Sequence, residues 1–154
     1  MESCDPVIQT QLEEHEMADL ERTPLNPASV ASPLGNYSHA VKVVPGKLLY
    51  IAGQVGVDQA GTLVGAGDVA AQTKQVFRNI GAILADAGAT FSNVVEFTTY
   101  LVGRESVQPY LDARTEVFPS IFPDKDYPAN TLLIIGGLIK EELLVEIKAV
   151  AALP

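Results

Sequence analysis

Asp68 and Gly88 bracket the segment that most constrains this chain. Between them Val69, Val76, Phe77, Ile80, Ile83, Leu84 and Ala87 recur at a helical period over about five turns. Asp68 stands at the N-cap, where a carboxylate accepts from the first free N–H groups of a helix. Gly88 follows the last turn, where the chain favours a residue tolerant of φ > 0. A capped helix with one apolar stripe must bury that stripe, so its sequence neighbours decide the architecture.

Those neighbours are mostly β-prone. Tyr37–Val44 and Lys47–Val57 flank Pro45-Gly46 and predict a β-hairpin. The second run, from Leu48 to Gly53, is almost wholly apolar, which predicts a strand covered on both faces or set at a subunit interface. Residues 58–67 read as loop, and 93–102 as a strand dense in β-branched and aromatic residues. Residues 105–118 predict a second helix, with Val107, Tyr110, Leu111, Val117 and Phe118 sharing a face and Pro109 in the first turn. After a loop over 122–128, strands are predicted at 131–138 and 143–151, the latter alternating Val145, Ile147 and Ala149 against Glu146 and Lys148. Residues 23–36, rich in Pro, Ser, Asn and Gly, read as an irregular lead-in. The order predicts an α+β layer: one sheet with two helices on one face. The other face would be costly to leave bare, which predicts an oligomer that buries it.

Charge divides the chain. Of 154 residues 47% are apolar, and the formal net charge is −9. Residues 1–22 carry seven acids and one base, so most of that charge lies in a head without an amphipathic period. It reads as an acidic, flexible N-terminal extension, and 23–154 as one domain. With no basic patch to meet a phosphate backbone, nucleic acid is excluded as the expected partner. A lone cysteine, Cys4, excludes a disulfide framework, and no apolar run approaches the ~20 residues that span a bilayer. The expectation is a soluble cytoplasmic protein with no membrane partner.

Motif searches yield little. There is no GxxxxGK[ST], HExxH or Gly-x-Ser-x-Gly, and neither His15 nor His39 has Cys or carboxylate company at ligand spacing, so no metal site is expected.

Six segments in a distinctive order carry more. They are Gly35-Asn36-Tyr37-Ser38-His39-Ala40, Ile51-Ala52-Gly53-Gln54, the helix from Gln72 to Gly88, Asn93-Val94-Val95, Phe122-Pro123 followed by Pro128-Ala129, and Val145 to Ala151. The chain resembles the reactive intermediate deaminase (Rid, or YjgF) family, whose members read GPYSQA, SGQ, a helix with an early Gln ending in AG, N-V-V, FP…PAR and VEIEAIA at these places. The resemblance spans residues 30–152. It implies a chorismate-mutase-like (ferredoxin-like) domain that assembles into a barrel-forming homotrimer, with ligand clefts between subunits. It implies hydrolysis of enamines or imines to a 2-keto acid and ammonia, with no cofactor and no metal.

Site residues follow from the resemblance one by one. Glu146 matches the family's acidic residue near the reacting carbon, where a carboxylate steers water and shuttles protons. The alternative is a strand-edge glutamate facing solvent beside Lys148. Tyr37 matches the cleft tyrosine, and Gly53 the glycine whose backbone approaches the ligand. Four positions depart from the family pattern. Asn130 replaces the arginine that anchors the substrate carboxylate as a planar fork, Ala52 the usual serine, Thr115 a frequent Asn and Leu132 a Cys of some members. The resemblance therefore implies a cleft less polar and less cationic than in the iminoalkanoate deaminases. Arg114, beside Thr115, is the candidate to replace the lost cation, although a helix arginine is ordinarily solvated and paired with a nearby acid. The function expected is a cofactor-independent deaminase-type hydrolase whose substrate preference differs from that of the 2-iminobutanoate/2-iminopropanoate deaminases, towards a larger or uncharged imine, enamine or related carbonyl compound. The alternative is a non-catalytic trimer that binds a small molecule in the same clefts.

Overall fold

A computed structural model describes residues 21–44 and 46–154. The acidic head therefore lies outside the described residues except for Glu21 and Arg22, and so does Pro45. Strands β1 (Arg22–Leu25), β2 (Ala40–Val43), β3 (Lys47–Val55), β4 (Val94–Val102), β5 (Ala129–Ile135) and β6 (Val145–Leu153) surround two helices, α1 (Val69–Asp86) and α2 (Val107–Ile121). The main sheet runs β3-β6-β4-β5, antiparallel except for the parallel β4–β5 pair. The mixed sheet with two helices agrees with the predicted α+β class.

Helix α1 forms where its stripe and caps place it. The Asp68 carboxylate accepts from Ala71 N at 2.9 Å, a cap typically contributing about 1 kcal/mol, and Gly88 leaves the helix at φ 69°. Its inward side chains Val76, Phe77, Ile80 and Leu84 are buried against Phe97 and Leu101 of β4 and Val145, Ile147 and Ala149 of β6. Phe77 is also edge-on to Phe118 of α2, which joins Phe122 and Tyr127 in one aromatic cluster. Each such ring pair contributes about 0.5–1.5 kcal/mol beyond its buried area.

Two expectations are corrected. The runs either side of Pro45-Gly46 do not pair as a hairpin: β2 pairs antiparallel with β1 in a separate two-stranded sheet, and β3 pairs with β6. The apolar β3 finds a longer partner in β6, from Lys47↔Leu153 to Val55↔Glu146, than the short β2 offers. Nor is the lead-in wholly irregular, because Thr23, Pro24 and Leu25 belong to β1. The Arg22 guanidinium donates to Val94 O at 2.9 Å and pairs with Asp126, which ties β1 to the main sheet.

Gln72 has a structural task. Buried in the first turn of α1, it donates to Gly65 O and Glu142 O and accepts from Leu144 N. One side chain thus joins the loop before α1 to the loop before β6, and a buried amide is fully used in doing so.

The face of the sheet away from the helices is open and carries exposed large apolar side chains beside Glu146, Lys148 and Thr98. Leu48 and Tyr50 of β3 are 49% and 74% exposed, and Leu133 of β5 is 39% exposed. Exposed large apolar side chains on a sheet face are what a subunit interface would cover.

Candidate functional site

A cavity of about 270 Å³ opens between α2, β5 and the loop that precedes β2. Its lining comprises Leu34, Gly35, Tyr37, Leu111, Arg114, Asn130 and Leu132. At roughly 30 Å³ per water it has room for about nine waters, the scale of a small metabolite.

Each wall is held in place from outside. Tyr37 comes to the cavity because the next residue is stapled to the start of β5: Ser38 N donates to Pro128 O at 3.1 Å and Ser38 Oγ to Tyr127 O at 2.7 Å. The Tyr37 hydroxyl accepts from Leu34 N at 3.3 Å, closing the loop over the mouth. Asn130 sits on β5 opposite Phe97, and its Oδ1 accepts from Thr99 Oγ1 at 3.1 Å. Thr99 is itself 3.3 Å from the Tyr110 hydroxyl of α2.

Arg114 does not behave as an ordinary helix arginine. It is 6% exposed and points along the inward face of α2. Its guanidinium lies 5.6 Å from the Tyr110 ring centroid and 5.1 Å from that of Phe118, one turn to each side. Among the described residues no acid pairs with it, which corrects the solvated, ion-paired arrangement expected of such a residue. The cavity accordingly carries one guanidinium, that of Arg114, beside the neutral Asn130.

Glu146 and Gly53 lie elsewhere. Glu146 pairs with Tyr100 and Val55, in the row next to buried Ile147 and Thr99, so strand alternation turns it to the open face. Asn130 and Leu132 belong with Phe97 and Thr99 on the helix-covered face. One chain therefore places Glu146 and the cavity on opposite sides of the sheet. Glu146 is half-buried on an inner strand, and among the described residues it makes no ion pair with Lys148. Its carboxylate lies against Gly53: a Cβ there would come within 1.8 Å of Glu146 Oε1.

The remaining candidates are not in the cavity. Ala52 is exposed on β3, and Thr115 is exposed one residue round α2 from Arg114, its hydroxyl donating to Leu111 O at 2.9 Å. Among the described residues no group of three or more His, Cys, Asp or Glu side chains is placed to hold a metal ion, and no helix is long and apolar enough to cross a membrane.

A mixed α+β layer with a cavity of about 270 Å³ under its second helix defines the structural class. Comparison with known proteins makes it specific. The family model described as Endoribonuclease L-PSP matches residues 28–153. The chain is 36% identical over 128 residues to the 2-iminobutanoate/2-iminopropanoate deaminase of Bos taurus, covering 83% of this chain and 92% of the bovine protein. It is 34% identical over 119 residues to a RutC family protein of Pyrococcus abyssi, covering 77% and 87%. Among solved structures, YyfB of the conserved Rid protein family from Yersinia pestis superposes with a TM-score of 0.77 at 35% identity, covering 86% of this chain and 98% of that one. The chain belongs to the RidA/YjgF/Rid family.

Proposed function

We propose that the protein is a cofactor-independent deaminase-type hydrolase of small imines or enamines, working as a homotrimer with its site between subunits. The observation that carries this reading is the division of labour across the sheet. A cavity of hydrogen-bond donors, with Arg114, Asn130 and Tyr37, lies on one side, and a carboxylate laid over a glycine, Glu146 on Gly53, lies on the other. Packing of open faces between copies would cover Leu48, Tyr50 and Leu133, and the reading requires that the sheet edge at β5, where the cavity lies, meets a neighbour's Glu146. The kinship with named 2-iminobutanoate/2-iminopropanoate deaminases supports the reaction class.

The chemistry asked of the site is modest. Water adds to the carbon of the protonated imine while the Glu146 carboxylate takes one water proton, which leaves a neutral carbinolamine. Glu146 returns that proton to the nitrogen, the C–N bond breaks to release ammonia, and the remaining hydroxyl proton passes through the carboxylate to the ammonia as the 2-keto product forms. A carboxylate in both roles needs no metal or redox partner. Preference differs from that of the named deaminases because the cation enters from α2 instead of from position 130, so the anionic end of a substrate is held at a different point. The endoribonuclease label of the family model has little to support it here, since the sequence shows no basic patch to meet a phosphate backbone.

The test is hydrolysis of imines generated in situ from a series of 2-amino acids by an amino-acid oxidase. Faster release of ammonia and 2-keto acid in the presence of the protein is expected, with an order of preference unlike that of the bovine enzyme. No acceleration for any member of the series would sink the proposal. One observation favours a non-catalytic small-molecule binder instead: within a chain, Glu146 does not reach the cavity. Glu146→Gln distinguishes the two, being silent in a pure binder.

A further inference from the structure

We propose that Arg114 is the anion anchor of this chain, and that Arg114, Asn130 and Tyr37 together form a carboxylate subsite built from donors alone. The inference rests on the proposed imine- or enamine-hydrolase reading of this cavity, and it names the residue of this chain that holds the substrate's anionic end.

Four features carry it. First, a guanidinium that is 6% exposed faces a cavity none of whose lining residues carries a carboxylate. Burying a charge without a counter-charge is costly, and an anionic ligand removes that cost. Second, the fork is preorganised. Tyr110 and Phe118 flank it along the helix, and Gly35 lies so close that a Cβ there would be 3.3 Å from Arg114 Nη2. Third, Asn130 is oriented by its neighbours. With Tyr110 donating to Thr99 and Thr99 donating to Asn130 Oδ1, the Asn130 Nδ2 group is left as the donor available to the cavity. Fourth, the Tyr37 oxygen already accepts from Leu34 N, so its proton is free to donate. Charged and neutral donors thus converge on one space, the arrangement a carboxylate needs.

The same geometry explains Asn at 130. A second guanidinium there would repel Arg114 within the same cavity, whereas a neutral amide adds a donor without adding charge. The cation has moved from β5 to α2.

The measurement is titration of the full-length protein with 2-oxobutanoate, a stable carboxylate, by calorimetry or ligand-observed NMR, with 2-butanone as the uncharged control. Saturable binding of 2-oxobutanoate by the wild type is expected, and its absence overturns the proposal. Arg114→Met, which keeps the apolar stem, should weaken binding at least 30-fold. Arg114→Lys should retain part of it, and Asn130→Ala should weaken it several-fold. The double variant Arg114→Met/Asn130→Arg should recover most of the affinity, because the cation is returned from the other wall. Unchanged binding by a folded Arg114→Met also overturns it. If Arg114→Met fails to fold, Arg114→Lys and Asn130→Arg decide: the proposal requires both to change affinity for 2-oxobutanoate and neither to change the response to 2-butanone. Loss of the hydrolase reading is seen separately, as Arg114-dependent binding without imine turnover. Turnover that ignores Arg114 leaves the hydrolase standing and removes this anchor.

Discussion

The two faces of the main sheet hold opposite kinds of chemistry. The helix-covered face carries donors: Arg114, Asn130 and Tyr37 line a cavity whose walls are fixed by Ser38, Thr99 and Tyr110. The open face carries an acceptor, the Glu146 carboxylate over Gly53, among exposed Leu48, Tyr50 and Leu133. A period of two forces this split, because residues of neighbouring rows on a strand cannot share a face. Neither face is a complete hydrolytic site. A donor pocket binds an anion without activating water, and a lone carboxylate activates water without holding a substrate.

That contrast can be broken in graded ways. Glu146→Gln should lower kcat for imine hydrolysis by about 10²–10⁴-fold and leave 2-oxobutanoate affinity unchanged; equal losses in both would mean that the faces are not separable. Gly53→Ala acts on the same face by steric means. Its new Cβ displaces a carboxylate oxygen that would lie 1.8 Å away, and a misplacement on the order of 1 Å costs about 10²-fold, readable in kcat with little change in KM. Tyr50→Lys puts a charge on a side chain that is 74% exposed in the single chain. Light scattering should show dissociation into monomers, and activity should fall about tenfold or more; a variant still trimeric and active would remove the open face from the assembly. Thr115→Ala, beside Arg114 but outside the cavity, should change stability by less than about 0.5 kcal/mol and leave turnover at the wild-type level.

Much of the architecture was legible from periodicity and caps. Helix α1 runs from the residue after Asp68, and α2, β4, β5 and β6 fall within a few residues of their predicted places. The hairpin was misread because Pro45-Gly46 signals only that the chain turns, not which strand each arm joins. Arg114 was legible as the candidate cation, but expected as a solvated helix residue and not as a buried one. It lies four residues after Tyr110, three after Leu111 and four before Phe118, so the spacing that made those residues a buried face includes it. Arginine in an apolar stripe is the signal that would have predicted its burial. The motif resemblance could name Asn130 and Glu146 together but not show that they occupy different faces, since β4 lies between their strands.

By itself, the sequence determined the element types, the family and the chemical kinds of residue available, because caps, periods and motifs are local properties of the chain. Only the tertiary structure decided partners and sides. It placed β3 beside β6 instead of β2, oriented Asn130 through Thr99 and Tyr110, and buried an arginine in a cavity without an acid. Those outcomes depend on register and on which groups are denied water, and both are set when distant segments pack.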